Sequence, residues 1–228
     1  MAYNVVTIEG IRTYTEAFGS RGPHILWACQ ADGAHNVTEL ARKAYNLSGE
    51  KPFTITAFGI KDWNAELSPW NATVPEAGGT FEGIAPQTLE WLEQNLIPTC
   101  TSKPYLMGYS LAGLFSLWSL TQCNKLAGAA SCSGSTWYPG WNDYAEAATW
   151  PQGCNVYLSL GSKEELAFSA IIASVGENTL RLSKLLKMHP SVAASTLEMN
   201  RGGHFSDPLG RLAKAIAWIA KKEIEQNA

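Results

Sequence analysis

The stretch "KPYLMGYSLAGLFSLWSL" (residues 103–120) decides how this chain is read. An apolar run of strand-like character, "PYLMGY" (104–109), meets the helical run "LFSLWSL", and between them Ser110 stands among Gly108, Ala112 and Gly113. A strand that becomes a helix within one or two residues needs small neighbours. Gly108 lets the strand enter the sharp turn, and Ala112 and Gly113 let the helix pack close behind it. A serine on such a turn presents its hydroxyl at the end of a sheet, where a nucleophile can be approached from solvent.

Working outward, short β-rich runs alternate with helical ones. "YNVVTIEGIRTYTEAF" (3–18) alternates about Gly10 and predicts an edge hairpin; "HILWAC" (24–29) predicts a buried strand, followed by the loop "QADGAHN" and a helix over Val37–Leu47. "FTITAFGI" (53–60) predicts a second buried strand, and residues 61–83 show neither period and are read as a long loop. Helix Pro86–Ile97 leads to the strand before Ser110; strands at 126–135, 155–160 and 193–199 follow, with helices over 178–187 and 209–225. Asp207 before Pro208 reads as cap and first-turn residue of the second of these. The expected fold is α/β: a mostly parallel central sheet with helices on both faces and an N-terminal antiparallel hairpin, one domain over 1–228 with no large lid domain.

With 46% hydrophobic and 16% charged residues, the 228-residue chain can bury a sizeable core. A net charge of −3 gives no electrostatic case for nucleic acid or an anionic membrane, so a small molecule is the expected partner. "MAYNVVTIEG" lacks a basic n-region followed by an apolar run, and no stretch approaches membrane-spanning length, so a soluble, cytoplasmic protein is expected. The five cysteines are widely spaced, without CxxC or zinc-like clustering, and are read as reduced core residues; no metal or organic cofactor is expected.

A serine hydroxyl needs a base within hydrogen-bond reach and a group that orients that base. "YLSLGSKEE" places Glu164 and Glu165 just beyond a strand, and "NRGGHFSDP" places His204 in the loop before a helix. His24 opens a strand, His35 sits beside a helix start and His189 ends a helix, so each is a poorer base. Ser110, Glu164, His204 is the chain order of an α/β-hydrolase, and each member falls where a strand gives way to a loop. Glu164 is favoured over Glu165, although spacing alone leaves both open. The expected oxyanion donors are the backbone N–H groups of Leu111 and of Gln30, with Ala31 close behind. Trp63, Trp70, Trp137 and Tyr138, together with Trp141, lie in loops expected to crowd the same end of the sheet and to contact substrate.

The stretches "DWNAELSPW" (62–70), "YLMGYSLAGLFSLWSL" (105–120), "SGSTWYPGWNDY" (133–144), "VYLSLGSKEE" (156–165), "VGENT" (175–179) and "GGHFSDP" (202–208) give the chain, over about residues 24–220, its likeness to a known group. It resembles bacterial α/β-hydrolases of the putative esterase family, which includes siderophore esterase-like and esterase D-like enzymes. The resemblance implies a carboxylic-ester hydrolase with Ser110 as nucleophile, His204 as base and a carboxylate from "GSKEE" as third member. Two departures stand out: Ala112 replaces the common glycine two residues after the serine, and the acid is Glu rather than Asp. A serine acyltransferase would use the same groups, and a non-catalytic binding module would usually lack one of them. A dinucleotide-binding fold would want G-x-G-x-x-G where this chain reads "QADGAHN".

Overall fold

The computed structural model describes residues 2–19 and 21–226; positions 1, 20, 227 and 228 of the expected 1–228 domain lie outside the described residues. Strands β1 (Ala2–Ile8) and β2 (Ile11–Phe18) form the predicted antiparallel hairpin. Its turn is Glu9-Gly10, with φ of 48° and 78°, the pair of positive angles that a two-residue type I′ turn demands.

Next come β3 (His24–Gln30), β4 (Phe53–Ile60), the short β5 (Asn71–Val74) and β6 (Gly79–Glu82), then β7 (Tyr105–Tyr109), β8 (Gly128–Cys132), β9 (Cys154–Gly161) and β10 (Val192–Asn200). Eight of these make one sheet in the order β1-β2-β4-β3-β7-β8-β9-β10, in which β2 meets β4 antiparallel and every pairing beyond β4 is parallel. The chain leaves β3 for β4 on one side and reaches β7 on the other, so a crevice opens between β3 and β7 at their C-terminal ends.

Alternation along the strands feeds two cores. Ile25, Trp27 and Cys29 face α1 (Val37–Ser48) and α8 (Pro208–Gln226), meeting Leu40, Ala44, Leu212 and Ile216. Leu26 and Ala28 face the opposite layer, made by α3 (Ala85–Asn95), α4 (Leu111–Gln122), α5 (Trp141–Ala147) and α7 (Val175–Met188), the last preceded by the one-turn α6 (Ala170–Ala173). Helices therefore cover both faces, as strands buried on both sides require. Helix α4 is buried over ten of its twelve residues, which is why its sequence is apolar all round rather than striped.

Three boundaries differ from the sequence reading. Residues 61–83 are not plain loop: α2 (Trp63–Glu66) is capped by Asp62, whose carboxylate accepts from Ala65 N at 3.0 Å, and β5 and β6 form a separate two-stranded sheet. Elements of four residues are too short to show a period. The strand expected over 126–135 ends at Cys132, because Ser133 takes φ 47° and turns the chain away. Helix α7 begins at Val175, earlier than the expected 178. Asp207 caps α8 as predicted, its carboxylate accepting from Gly210 N at 3.0 Å. All five cysteines are free, and all but Cys100 are buried. Among the described residues no helix is long and apolar enough to cross a membrane, and no group of three metal-ligating side chains occurs.

Candidate active site

Ser110 sits between β7 and α4 with φ 58° and ψ −124°, a conformation that L-residues rarely adopt. The surroundings hold it there. Its N–H donates to Cys132 O at 3.0 Å, and its carbonyl accepts from Gly113 N, Leu114 N and Ser135 N at 2.9, 3.2 and 3.1 Å. At Gly108 a Cβ would lie 2.4 Å from the backbone of Ala112, so the helix packs in space that only glycine leaves free. Gly113 plays the same part against Ser131 and Gly134.

The three polar side chains singled out in the sequence converge from three loops. His204 Nε2 lies 3.1 Å from Ser110 Oγ, and His204 Nδ1 lies 2.8 Å from Glu164 Oε2. Of the two acidic candidates, Glu164 reaches the imidazole; Glu165 is exposed and lies against Gly176 of α7. Glu164 is buried, and its other oxygen accepts from Gly161 N at 2.6 Å, Arg211 Nη1 at 2.7 Å and Ser133 Oγ at 2.8 Å. Burial alone would push this carboxyl upward. The hydrogen bonds from His204, Gly161 and Ser133 outweigh it and hold the group below its ordinary 4.5, so it is ionised at neutral pH.

Sequence reasoning missed Arg211, Ser133 and Tyr109. Arg211 is buried on α8, and besides Glu164 it donates to Ser133 Oγ, Tyr109 OH and Gly203 O. Its one sequence signal is a cation at an otherwise apolar helix position between Leu209 and Leu212. Tyr109 donates in turn to the carbonyl of His204, and burial holds its phenol above the ordinary value, so it stays neutral.

Two clefts meet at Ser110 and His204. One, of about 480 Å³, is lined by Trp137, Leu166, Ile172 and Val175, with Lys163 and Glu76 at its polar side. The other, of about 350 Å³, is lined by Trp27, Trp63, Leu209 and Leu212 and contains Gln30. Phe205, exposed and edge-on to the His204 ring, borders both. Leu111 is the first residue of α4, where an N–H has no partner within its helix.

Trp137 and Trp63 thus line space next to Ser110, but Trp70 and Tyr138 do not. Tyr138 is buried and donates to Trp70 O at 2.6 Å, Trp70 Nε1 donates to Pro139 O at 2.9 Å, and the two rings meet edge to face. With both polar tips spent on backbone carbonyls, the pair fastens the 62–83 segment to the 133–140 loop ahead of α5 instead of facing a ligand. Trp141 is likewise fully buried.

This strand order, with helices on both faces and a serine on the turn after β7, is the α/β-hydrolase fold. Among solved structures it matches the siderophore hydrolase EstA from Aspergillus nidulans (15% identity, 97% of this chain and 94% of that one, TM-score 0.78). It also matches an IroE-like serine hydrolase from Shewanella oneidensis (16%, 95% and 79%, 0.77) and the enterobactin esterase Fes from Shigella flexneri, solved with 2,3-di-hydroxy-N-benzoyl-glycine (13%, 98% and 60%, 0.68). These are siderophore esterase-like hydrolases, the group the sequence resembles, and the shared feature is the fold. No protein-family model and no curated protein matches the sequence.

Proposed function

We propose that the chain is a serine hydrolase that cleaves carboxylic esters of small molecules through Ser110, His204 and Glu164. The observation that carries this reading is the unbroken hydrogen-bonded line from Ser110 Oγ through the imidazole to an ionised, buried carboxylate, with the serine in a strained turn. Ser110 Oγ attacks the ester carbonyl as His204 Nε2 takes its proton; Glu164 fixes the tautomer that leaves Nε2 free to accept and balances the imidazolium charge. The N–H groups of Leu111 and Gln30 receive the developing oxyanion. The intermediate collapses as His204 returns the proton to the leaving alcohol. Water, deprotonated by the same imidazole, then releases the acid from the acyl-serine. None of these bond changes calls on a cofactor or metal.

The two apolar clefts, one beside Trp137 and one beside Trp63, favour an ester with an aromatic or medium-length apolar group over a bare acetate. The aromatic acyl compound in the Fes structure supports the same substrate class. The test is intact-mass spectrometry after fluorophosphonate treatment of wild type, Ser110→Ala and His204→Ala, with turnover of 4-nitrophenyl acetate, butyrate and phenylacetate alongside. One adduct on wild type, none on the serine variant and slow labelling of the histidine variant are expected, with the bulkier acyl groups turned over faster. A folded wild type that takes no adduct overturns the reading. Transfer of the acyl group to an added alcohol in preference to water would mark an acyltransferase.

A further inference from the structure

The reading above assigns no task to Arg211, yet this guanidinium makes four hydrogen bonds near Ser110, as many as Glu164 does. It is 2% exposed, and its Nη1 reaches Glu164 Oε1 at 2.7 Å, Ser133 Oγ at 2.6 Å and Tyr109 OH at 3.1 Å, while Nη2 reaches Gly203 O at 2.7 Å. Its Nε has no hydrogen-bond partner, so the side chain bears an unpaired buried donor in this position. A buried ion pair is weak evidence of stabilisation, because apolar residues of the same volume often do as well. The contacts of Arg211 point elsewhere, to both groups that hold the imidazole: the carboxylate beside its Nδ1 and the backbone of the loop that bears it.

We infer that Arg211 is a positioning residue that sets the proton affinity of the His204–Glu164 pair. The inference rests on the ester-hydrolase reading for its meaning in catalysis, but not for its test. A carboxylate facing an imidazole with no other partner makes the imidazolium too comfortable, and the base is lost to protonation at higher pH. A cation on the far oxygen offsets that attraction. Because the two groups interact strongly, the proton is best assigned to the pair, and a fixed positive charge 2.7 Å from one of its oxygens lowers the affinity of the whole. Removing the cation raises it, whichever group holds the proton.

The other charged or titratable groups near the pair leave this role to Arg211. Tyr109, on β7, is held neutral by burial. Lys163, next in sequence to Glu164, and Glu76, which lies in the segment between β5 and β6 and lines the same cleft, are both exposed and screened by solvent. Asp207, at the start of α8, is exposed and faces Lys43 at 3.8 Å. Arg211 alone among them is out of water and in contact with the carboxylate.

The experiment compares wild type, Arg211→Met and Arg211→Lys by NMR titration of the His204 ring signals and by kcat/KM against pH with 4-nitrophenyl butyrate. Methionine keeps the apolar stem without the charge; lysine keeps a charge without the planar fork. In Arg211→Met the ring is expected to take up its proton about one pH unit higher than in wild type, with the acid limb of kcat/KM moved equally, about a fivefold further loss at the pH where wild type is half active. Arg211→Lys is expected to leave the acid limb in place and lower kcat, since a single ammonium cannot hold the carboxylate and Gly203 together. A uniform loss of rate in Arg211→Met with the ring titration unmoved overturns the inference and leaves Arg211 a packing residue. If Arg211→Met does not fold, Arg211→Lys decides: an acid limb raised as for a lost charge overturns it. A wild type inert toward every ester defeats the hydrolase reading alone, because the NMR comparison needs no turnover.

Discussion

Glu164→Gln should separate the two duties of this carboxylate, and both can be sized from its contacts. The amide oxygen can still accept from Gly161 N, Ser133 and Arg211, but an NH₂ now faces His204 Nδ1. That nitrogen must then accept, which moves the ring proton to Nε2, the atom 3.1 Å from Ser110 Oγ that was to act as base. A wrong tautomer of this kind costs about 10⁴ in kcat, or about 5 kcal/mol of transition-state stabilisation. Stability suffers separately, because the 2% exposed Arg211 loses the only counter-charge it meets among the described residues; breaking a buried pair from one side costs about 3–5 kcal/mol. The assay is kcat for 4-nitrophenyl butyrate at pH 7.5 beside urea unfolding, with Glu165→Gln as control, expected within about 0.5 kcal/mol of wild type because its side chain is exposed. A Glu164→Gln enzyme that keeps more than about a tenth of wild-type kcat, or loses less than about 1 kcal/mol, refutes the reasoning.

Two other predictions rest on the scaffold. Burial lowers His24 to about 4 from 6.5, and a folded value below the unfolded one means that the unfolded chain binds the extra proton first. Stability should therefore fall as pH drops from about 6.5 to about 4, by up to about 3 kcal/mol from this group, and urea unfolding of His24→Gln should show a shallower slope across that window. Gly108→Ala puts a methyl 2.4 Å from the Ala112 backbone, and a loss of about 3 kcal/mol or more in unfolding free energy is expected; wild-type stability would mean that the turn is looser than its contacts imply.

What could be read in advance followed from chemistry that repeats along the chain. Buried parallel strands are continuous apolar runs, and β3, β4, β7 and β9 announced themselves that way; Gly10 marked the hairpin turn and Asp207-Pro208 the start of α8. Ser110 and Glu164 were legible because each sits where such a run ends, and His204 because it stands in the glycine-rich loop between the last strand and the last helix. Arg211 was not, since its partners lie on β7, in the segments beyond β8 and β9, and in the loop after β10, and no local pattern reports contacts so distant in sequence. Trp70 and Tyr138 misled for a related reason: an aromatic ring in a loop has the same appearance in sequence whether it faces a ligand or another loop. Only the hydrogen bonds to Pro139 O and Trp70 O tell the two apart.

The 94 positions that separate Ser110 from His204 also put an order on how the chain acquires chemistry during synthesis. A ribosome finishes the serine turn long before it adds the imidazole, and the guanidinium on α8 comes later still. Until β10 has joined the sheet and α8 has docked beside α1, the hydroxyl is an ordinary alcohol. If the chain is the proposed ester hydrolase, a nascent or truncated chain is therefore expected to leave esters untouched. On the proposed hydrolase reading, reactivity would arrive only with completed folding, and a probe that labels Ser110 would count finished molecules.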